Sequence, residues 1–480
     1  MDKEQKFILS PYAIIVNNNH QKTLMYHSLL GNARIMDRRL NDLVEFCKTE
    51  RSKEELIQKG SESLWNNLYK LGYIHNQRFD DRMYFDELLR KRSEILPTGS
   101  LVSHLQLVLT NACNMGCEYC FAKNFQQAVS AREICGDGSG YEENINERNK
   151  KGVMTFDTAR KCIDQAIFTI KKNNQNHLSI SFFGGEPTLN RPLIESILNH
   201  YGNGKNHLIQ IEYDINTNGS QIDDSLITLF SKYNVRVEVS IDYIDEARGQ
   251  FRGGKQTGTL LASILNTIRK LKKAQLNVQL SSVLSSHTWK YWGFDLIDFA
   301  SQENLPEINV IVSFEFDCLK EYGPIQVADK ILDAYDYGKK KNVLLTGYWY
   351  HTFLLLLDDE KRALQADYKT CPAIGRMLSI EPDGSVFACK MTSRRMGHIN
   401  HWNDIFRSSE YRYYAMRAFS NSTDCHGCEL EGFCSGSPCG SLEESDDIYS
   451  MEKGYCAYMK RIVRGLIDRL LEEENYKKES

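Results

Sequence analysis

Three cysteines in one short run, Thr110-Asn-Ala-Cys113-Asn-Met-Gly-Cys117-Glu-Tyr-Cys120, carry the most chemistry in the chain. The spacing CxxxCxxC packs three thiolates closely enough for three corners of a cubic iron–sulfur cluster. A [4Fe–4S] site closed by protein takes four thiolates, so three leave one iron open to a reactant. A zinc knuckle or a chance cluster is the alternative for this run taken alone. Seven more cysteines follow from position 371. Cys371 is followed by twelve residues, Gly384, four residues and Cys389; then come Cys425-x2-Cys428-x5-Cys434-x4-Cys439 and, after a gap, Cys456. A zinc ribbon would also use CxxC with later cysteines. Fourteen cysteines in a chain whose start, Met-Asp-Lys-Glu-Gln-Lys, lacks a secretory signal point to metal rather than disulfides.

Such residues need elements that end side by side. Residues 105–110 read as a buried strand, which puts the first cysteines on a strand-end loop. Residues 178–183 are a β-type run ending in Gly184-Gly185-Glu186-Pro187, and residues 210–215 lead into Asn216-Thr-Asn-Gly219. Residues 235–240 alternate and close with Ser240-Ile-Asp242, while 278–284 and 308–313 supply a fifth and a sixth strand. Amphipathic helical stretches at 156–171, 225–233, 259–274 and 289–301 separate them. Strand and helix in alternation imply a parallel sheet with ligands at its carboxyl end, where every one of these turns lies. Glycines in the GGEP turn allow close backbone approach, and a carboxylate or carbonyl there can accept from an ammonium. Singly, GGEP reads as an ordinary tight turn, TNG as any loop and Arg252 as a solvated charge.

Together and in this order, these features resemble the radical S-adenosylmethionine (SAM) enzymes. The resemblance implies an α/β fold with a partial (β/α)6 TIM-type barrel. It implies a [4Fe–4S] cluster on Cys113, Cys117 and Cys120 whose open iron binds the amino and carboxylate groups of SAM, which is split into methionine and a 5′-deoxyadenosyl radical. It also places Gly184, Gly185 and Glu186 beside the methionine moiety, Ser240 on the ribose, and Arg252 on the carboxylate as a planar bidentate pair. Tyr119 would lie near the adenine, or else be a core aromatic. The later cysteines resemble the SPASM domain of radical SAM enzymes that modify peptides and proteins, with one residue more between Cys434 and Cys439 than that pattern has. By this resemblance Cys425, Cys428, Cys434 and Cys456 hold one auxiliary [4Fe–4S] cluster. Cys371, Cys389 and Cys439 hold a second, whose fourth ligand is open. Met377 stands where some relatives supply a cysteine, and Cys318 is the nearest spare. Cys47 and Cys162 read as core residues, and Cys135 as adventitious within the polar stretch 130–151.

Residues 1–85 show two β-type runs, 7–17 and 22–27, then three short helical patterns, one opened by a capping-box pair, Ser52 and Glu55. This pattern is similar to the winged-helix leader-peptide recognition element of peptide maturases, which implies that an extended leader adds as a strand to the hairpin edge. A structural cap and a DNA-binding winged helix are the alternatives; charges nearly cancel here, and phosphate binding needs a positive face. Residues 86–103 read as a linker, 104–320 as the barrel core, 321–365 as a helical bridge, and 366–480 as the cysteine-rich SPASM domain. The last closes with an amphipathic helix whose stripe is Met459, Ile462, Val463, Leu466, Ile467, Leu470 and Leu471. The net charge of −4 argues against a nucleic-acid partner, and no apolar run approaches the roughly 20 residues of a membrane span; a cytoplasmic protein is expected.

The family implies an enzyme that makes a radical on a ribosomally synthesised precursor peptide bound through its leader. It would install an intramolecular crosslink, thioether or carbon–carbon, and draw electrons from a donor such as ferredoxin or flavodoxin. One alternative is a sulfatase-type maturase that oxidises Cys or Ser to formylglycine. Those relatives carry an Asp directly after the second SPASM cysteine, where this chain has Lys390. A metal-sensing winged-helix regulator is the alternative of another class, and it would need neither the GGEP turn nor Ser240 and Arg252.

Overall fold

A computed structural model describes residues 5–17, 22–37, 40–120, 152–244, 257–358, 369–417, 425–437 and 451–479. The front unit runs β1 (Lys6–Leu9), β2 (Ala13–Asn17), β3 (Lys22–His27), β4 (Gly31–Asp37), α1 (Asn41–Phe46), β5 (Arg51–Ser52), α2 (Lys53–Lys59), α3 (Glu62–Lys70) and β6 (Ile74–Asn76). The run 7–17 is two strands rather than one. It breaks at Ser10-Pro11, where proline lacks an N–H and restricts its predecessor. β1 then joins β5 and β6, while β2, β3 and β4 form a separate antiparallel sheet. The capping box is present: Glu55 N donates to Ser52 Oγ (3.2 Å) and Ser52 N to Glu55 Oε2 (2.7 Å).

The stretch 86–103 is mostly helix. α4 (Asp81–Ile95) buries Phe85, Leu89 and Arg92, and Arg92 donates to Ile374 O at 3.3 Å. Its apolar positions are sparse among charges, so the sequence reads as a tether although the helix is packed.

β7 (His104–Thr110), α5 (Phe156–Lys172), β8 (His177–Gly184), α6 (Arg191–Tyr201), β9 (Gln210–Thr217), α7 (Asp224–Tyr233), β10 (Arg236–Ser240), α8 (Thr257–Lys273), β11 (Val278–Leu284), α9 (Phe294–Gln302) and β12 (Glu307–Val312) alternate as expected. α10 (Asp317–Tyr322), α11 (Pro324–Lys340) and α12 (Tyr348–Leu357) fill the bridge, with β13 (Leu344–Thr346) among them. β13 is a seventh strand, three residues long and too short to carry a periodic signal. β7 to β13 pair in parallel in chain order, and β13 does not pair with β7. The result is an open sheet consistent with a partial TIM barrel. Leu105, Leu107, Ile180, Phe182, Ile211, Ile215, Val237 and Val239 are fully buried and pack with the helices in one core.

The opposite face is polar. Asn309 Nδ2 donates to Glu238 (3.1 Å), Gln279 Nε2 and Thr346 Oγ1 to Glu307 (2.7 and 2.6 Å). Ser181 Oγ joins His104 (2.7 Å) to Asp214 (2.8 Å); burial pushes Asp214 up to about 6 and His104 down to about 3. TIM barrels usually fill their interior with branched apolar side chains. This one is lined to meet polar groups.

β14 (Met377–Ile380), β15 (Ser385–Phe387) and β16 (Gly397–His398) extend the same sheet, with β14 parallel to β7 in the register Met377↔His104. α13 (Trp402–Ile405), α14 (Ser409–Arg417) and α15 (Lys453–Glu479) complete the chain. The apolar stripe of α15 is buried, Leu470 only partly. Gly465 permits its approach to α11, because a Cβ there would lie 2.4 Å from Leu332 Cδ1. Among the described residues no helix is long and apolar enough to cross a membrane.

A buried polar cluster joins the front unit to α4. Asp81 receives Ser10 Oγ at 2.8 Å, and His27 Nε2 and His75 Nε2 lie 3.1 and 2.9 Å from it. Burial would raise the Asp81 carboxyl, but the hydrogen bonds from His27 and His75 outweigh it and hold it far below the usual carboxylate range. Burial would lower His75, and the Asp81 bond reverses that to a net rise. A depressed acid contributes stability above its unfolded value of about 4 and loses it as pH falls; a raised histidine contributes below about 6.5 and loses it as pH rises. Asp81→Ala should therefore destabilise the front unit by about 3–5 kcal/mol. Hydrogen exchange of residues 22–37 and 62–76 in the intact chain reads this, and the gap to wild type should be widest between those two pH values.

Candidate active site

The cysteine loop leaves β7 at the carboxyl edge of the sheet, with Cys113 exposed and Cys117 and Cys120 half-buried. Its backbone is laced to the GGEP turn. Gly185 N donates to Thr110 O and Glu186 N to Ala112 O, each at 2.8 Å. A Cβ on Gly184 (φ +148°) would lie 2.3 Å from Thr110 O, and one on Gly185 2.2 Å from Ala112 O. The close approach these glycines permit is to the cysteine loop itself.

Glu186 is 1% exposed. Its carboxylate accepts from Thr188 N (3.1 Å), Thr188 Oγ1 (2.6 Å), Thr217 Oγ1 (2.6 Å) and Asn218 N (2.8 Å). These bonds tie the end of β8 to the end of β9. Asn218 Nδ2 then donates to Asn114 Oδ1 (2.8 Å), and Asn114 Nδ2 to Ser220 Oγ (2.9 Å), so the TNG turn grips the cysteine loop as well.

A third hold comes from β10. Tyr119 donates its hydroxyl proton to Asp242 Oδ2. Asp242, 1% exposed, also accepts from Val283 N at 2.7 Å. Sequence reasoning gave Asp242 no role; the available signal was an acid two residues past the end of an alternating strand. Ser240 Oγ reaches Asn216 Oδ1 at 3.4 Å. Arg252 and Cys439, like Cys135, lie outside the described residues.

In the cysteine-rich domain, Cys425, Cys428, Cys434 and Cys456 line one apolar cavity with Met451 and Met459, Cys456 sitting in the first turn of α15. Cys371 and Cys434 face a second cavity walled by Tyr348 and Tyr455. Cys318 is no part of that cavity: it is fully buried and donates to Leu284 O at 3.5 Å. Among the described residues no three Cys, His, Asp or Glu side chains converge on one metal ion.

Hydrogen bonds to sulfur separate two kinds of cysteine. Cys113, Cys389, Cys428 and Cys434 each accept from the backbone N–H two residues on, at 3.4, 3.4, 3.5 and 3.3 Å. Such donors stabilise a thiolate and tune a cluster. Cys162 and Cys318 instead donate to carbonyls as neutral thiols, and burial pushes each up to about 12. Burial also pushes Cys425 up to about 11 and Cys456 up to about 12, so loading a metal there must displace protons. The thiols around the Cys425, Cys428, Cys434 and Cys456 cavity and those of the Cys113 loop fit iron–sulfur clusters; Cys371 and Cys389 share no cavity among the described residues.

Lys390, next to Cys389, is 6% exposed. Its Nζ lies 2.5 Å from Asn111 Oδ1 and 3.5 Å from Glu381 Oε2, and its N–H donates to Gln106 Oε1 at 2.8 Å.

Gly185→Ala should push the cysteine loop off its seat. The expected result is a loss of about four irons per chain and of 5′-deoxyadenosine formation from SAM, with the remaining iron retained. Iron and sulfide analysis after anaerobic reconstitution checks it.

Comparison with known proteins agrees with this geometry. The Radical SAM superfamily model matches residues 107–291, and the SPASM iron–sulfur cluster-binding domain matches residues 371–429. The chain is similar to the radical SAM cyclopropyl synthase TigE of Paramaledivibacter caminithermalis, 31% identical over 480 residues, 98% of this chain and 97% of the relative. It is 22% identical to the cysteine-type anaerobic sulfatase-maturating enzyme of Clostridium novyi over 349 residues, 67% of this chain and 83% of that protein. Among solved structures the fold is shared with anSMEcpe carrying AdoMet and the Cp18Cys peptide (TM-score 0.61, 17% identity, 78% of this chain and 99% of that one). It is shared also with Streptococcus suis SuiB bound to its precursor peptide SuiA (TM-score 0.53, 14% identity, 93% and 98%). The chain belongs to the radical SAM superfamily, among its members that carry a C-terminal SPASM domain.

Proposed function

We propose that this enzyme modifies a ribosomally made precursor peptide by closing a carbon–carbon bond within an aliphatic side chain, as a cyclopropane. The observation that carries this reading is the identity to a cyclopropyl synthase across 98% of the chain, front unit and cysteine-rich end included. Closing such a ring breaks two C–H bonds and makes one C–C bond: one hydrogen atom would go to the 5′-deoxyadenosyl radical, and the other would leave as a proton to solvent and an electron to an auxiliary cluster.

Cys113, Cys117 and Cys120 would hold the [4Fe–4S] cluster, which with SAM supplies the 5′-deoxyadenosyl radical, a hydrogen-atom acceptor strong enough for an unactivated C–H bond. Glu186 fixes the loop ends that frame SAM. With its carboxylate committed to Thr188, Thr217 and Asn218, the backbone at Gly184 and Gly185 is the better acceptor for the SAM ammonium. Ser240 would bind the ribose and Arg252 the carboxylate, while the Tyr119–Asp242 bond holds the far end of the cysteine loop in place beside the adenine. The polar inner face of the sheet suits an extended peptide, whose amides need partners once water is excluded. Residues 1–85 would take the leader as an added strand. Cys425, Cys428, Cys434 and Cys456 would hold one auxiliary cluster, and Cys371, Cys389 and Cys439 the other. A ferredoxin or flavodoxin would supply electrons.

The sulfatase-type alternative loses ground at Lys390: an ammonium tied to Asn111 and Glu381 offers no carboxylate to take a substrate proton. Membership of a family of enzymes likewise removes the reason for a DNA-binding regulator.

The test is anaerobic incubation of reconstituted enzyme, SAM and reductant with the peptide encoded by a short reading frame beside the gene, with Cys113→Ala as control. The expected product is lighter by two hydrogens on an aliphatic residue, with every cysteine still open to alkylation, and no product with the control. A lost thiol would establish a thioether instead, and an aldehyde would restore the sulfatase-type reading.

A further inference from the structure

We propose that the cavity at the carboxyl end of β12 is a seat for the precursor peptide, where Trp349 Nε1 and Tyr458 Oη donate to a backbone carbonyl beside the aliphatic side chain to be modified. The proposal rests on the reading of the substrate as a peptide with such a residue. β13 stops at Thr346, opposite Asn309, and the cavity lies beyond that point. It is lined by Ile311 and Phe314, by Tyr348 and Trp349 at the start of α12, and by Tyr455 and Tyr458 of α15. Ile311 is two residues after Asn309 and shares its face of the strand. The cavity therefore adjoins the polar inner face of the sheet, at the carboxyl edge that also carries the cysteine loop. Tyr348 and Tyr455 wall the cavity of Cys371 and Cys434 as well, which puts the seat at the junction of the barrel and the cysteine-rich domain.

Two donors in that lining have no use within the fold. Trp349 is 1% and Tyr458 2% exposed, and among the described residues neither Trp349 Nε1 nor Tyr458 Oη meets a hydrogen-bond partner. Buried polar groups are almost always paired, and an indole N–H can only donate. Gly347 keeps that nitrogen uncovered, because a Cβ there would lie 2.5 Å from both Trp349 Nε1 and Val310 O. Burial raises the Tyr458 phenol well above its usual range, so it keeps its proton. The pair calls for an acceptor oxygen. The lining holds no charged side chain, so nothing would compensate a buried carboxylate, and a neutral carbonyl fits better. The space between the rings takes one group of about that size. A peptide supplies the carbonyl, with an apolar side chain beside it to cover Ile311 and Phe314.

The experiment compares wild type with Tyr458→Phe and Trp349→Phe, each as the full chain reconstituted anaerobically with SAM, using the peptide encoded beside the gene. Two quantities are read: the melting temperature without peptide, and the concentration that half-saturates binding, followed by fluorescence anisotropy of the labelled peptide. Tyr458→Phe removes one oxygen and keeps the ring. It should melt at or above wild type, because a buried hydroxyl without a partner is gone, yet need about three- to tenfold more peptide. Trp349→Phe should weaken peptide binding by a similar factor. A lower melting temperature in Tyr458→Phe would overturn the proposal, since the hydroxyl would then serve the fold through a bound water. Unchanged peptide binding in that variant would overturn it equally. The mass of the wild-type product tests ring closure separately: another product would replace that chemistry, while the anisotropy would still decide the seat. A peptide that fails to bind wild type would remove the seat together with its substrate.

Discussion

The carboxylate of Glu186, buried among Thr188, Thr217 and Asn218, is the interaction on which the arrangement turns. A loop with three thiols can present an open iron only if its backbone is held from outside, since the loop has no regular structure of its own. Glu186 joins the ends of β8 and β9, and those ends clasp the loop through Gly185, Glu186 and Asn218 backbone and side-chain bonds. An unpaired carboxylate at that depth would be costly, so the fold must deliver all of its donors together. The glycines follow from the same demand, because any side chain at 184 or 185 would occupy the space of the loop's carbonyls.

Around that clasp, the parallel sheet does two jobs with its two faces. The helix-facing side is apolar and supplies the core; the inner side carries Asp214, Glu238, Glu307 and Asn309 in cross-strand hydrogen bonds. On that inner face the cross-strand bonds give the buried polar groups their partners without an apolar filling. β14 then adds the cysteine-rich domain to the free edge of β7. Backbone hydrogen bonds, rather than a flexible tether, therefore set the position of Cys389 relative to Cys113.

The front unit and α4 are both docked on the same domain. Gly432 N donates to Ser28 O at 2.7 Å and Arg82 pairs with Glu431 at 2.5 Å, both within the stretch between Cys428 and Cys434. The Ser10–His27–His75–Asp81 cluster ties that unit to α4 as well.

Much of this was legible in the residues. Apolar or alternating runs and the turns that follow them marked six strands and their carboxyl ends, because a strand's pattern and the turn residues after it are local properties. The cysteine spacings pointed to iron–sulfur chemistry for the same reason: the type and spacing of the thiols are covalent facts of the chain. The sequence could not give partners that are distant along it. β13 is too short to show a period; β14 pairs with a strand 273 residues earlier, counted from Met377 and His104; α4 hides few apolar contacts among many charges. Glu186 reads as a SAM contact by resemblance, and only the folded chain brings Thr217 and Asn218 to its oxygens. Asp242 and Lys390 gain their partners Tyr119 and Asn111 the same way. The sequence by itself determined which thiols the chain can offer to a metal and where six of its strands end. Tertiary structure alone decided which buried charges face which donors, since desolvation makes every such pairing depend on the whole packed surround.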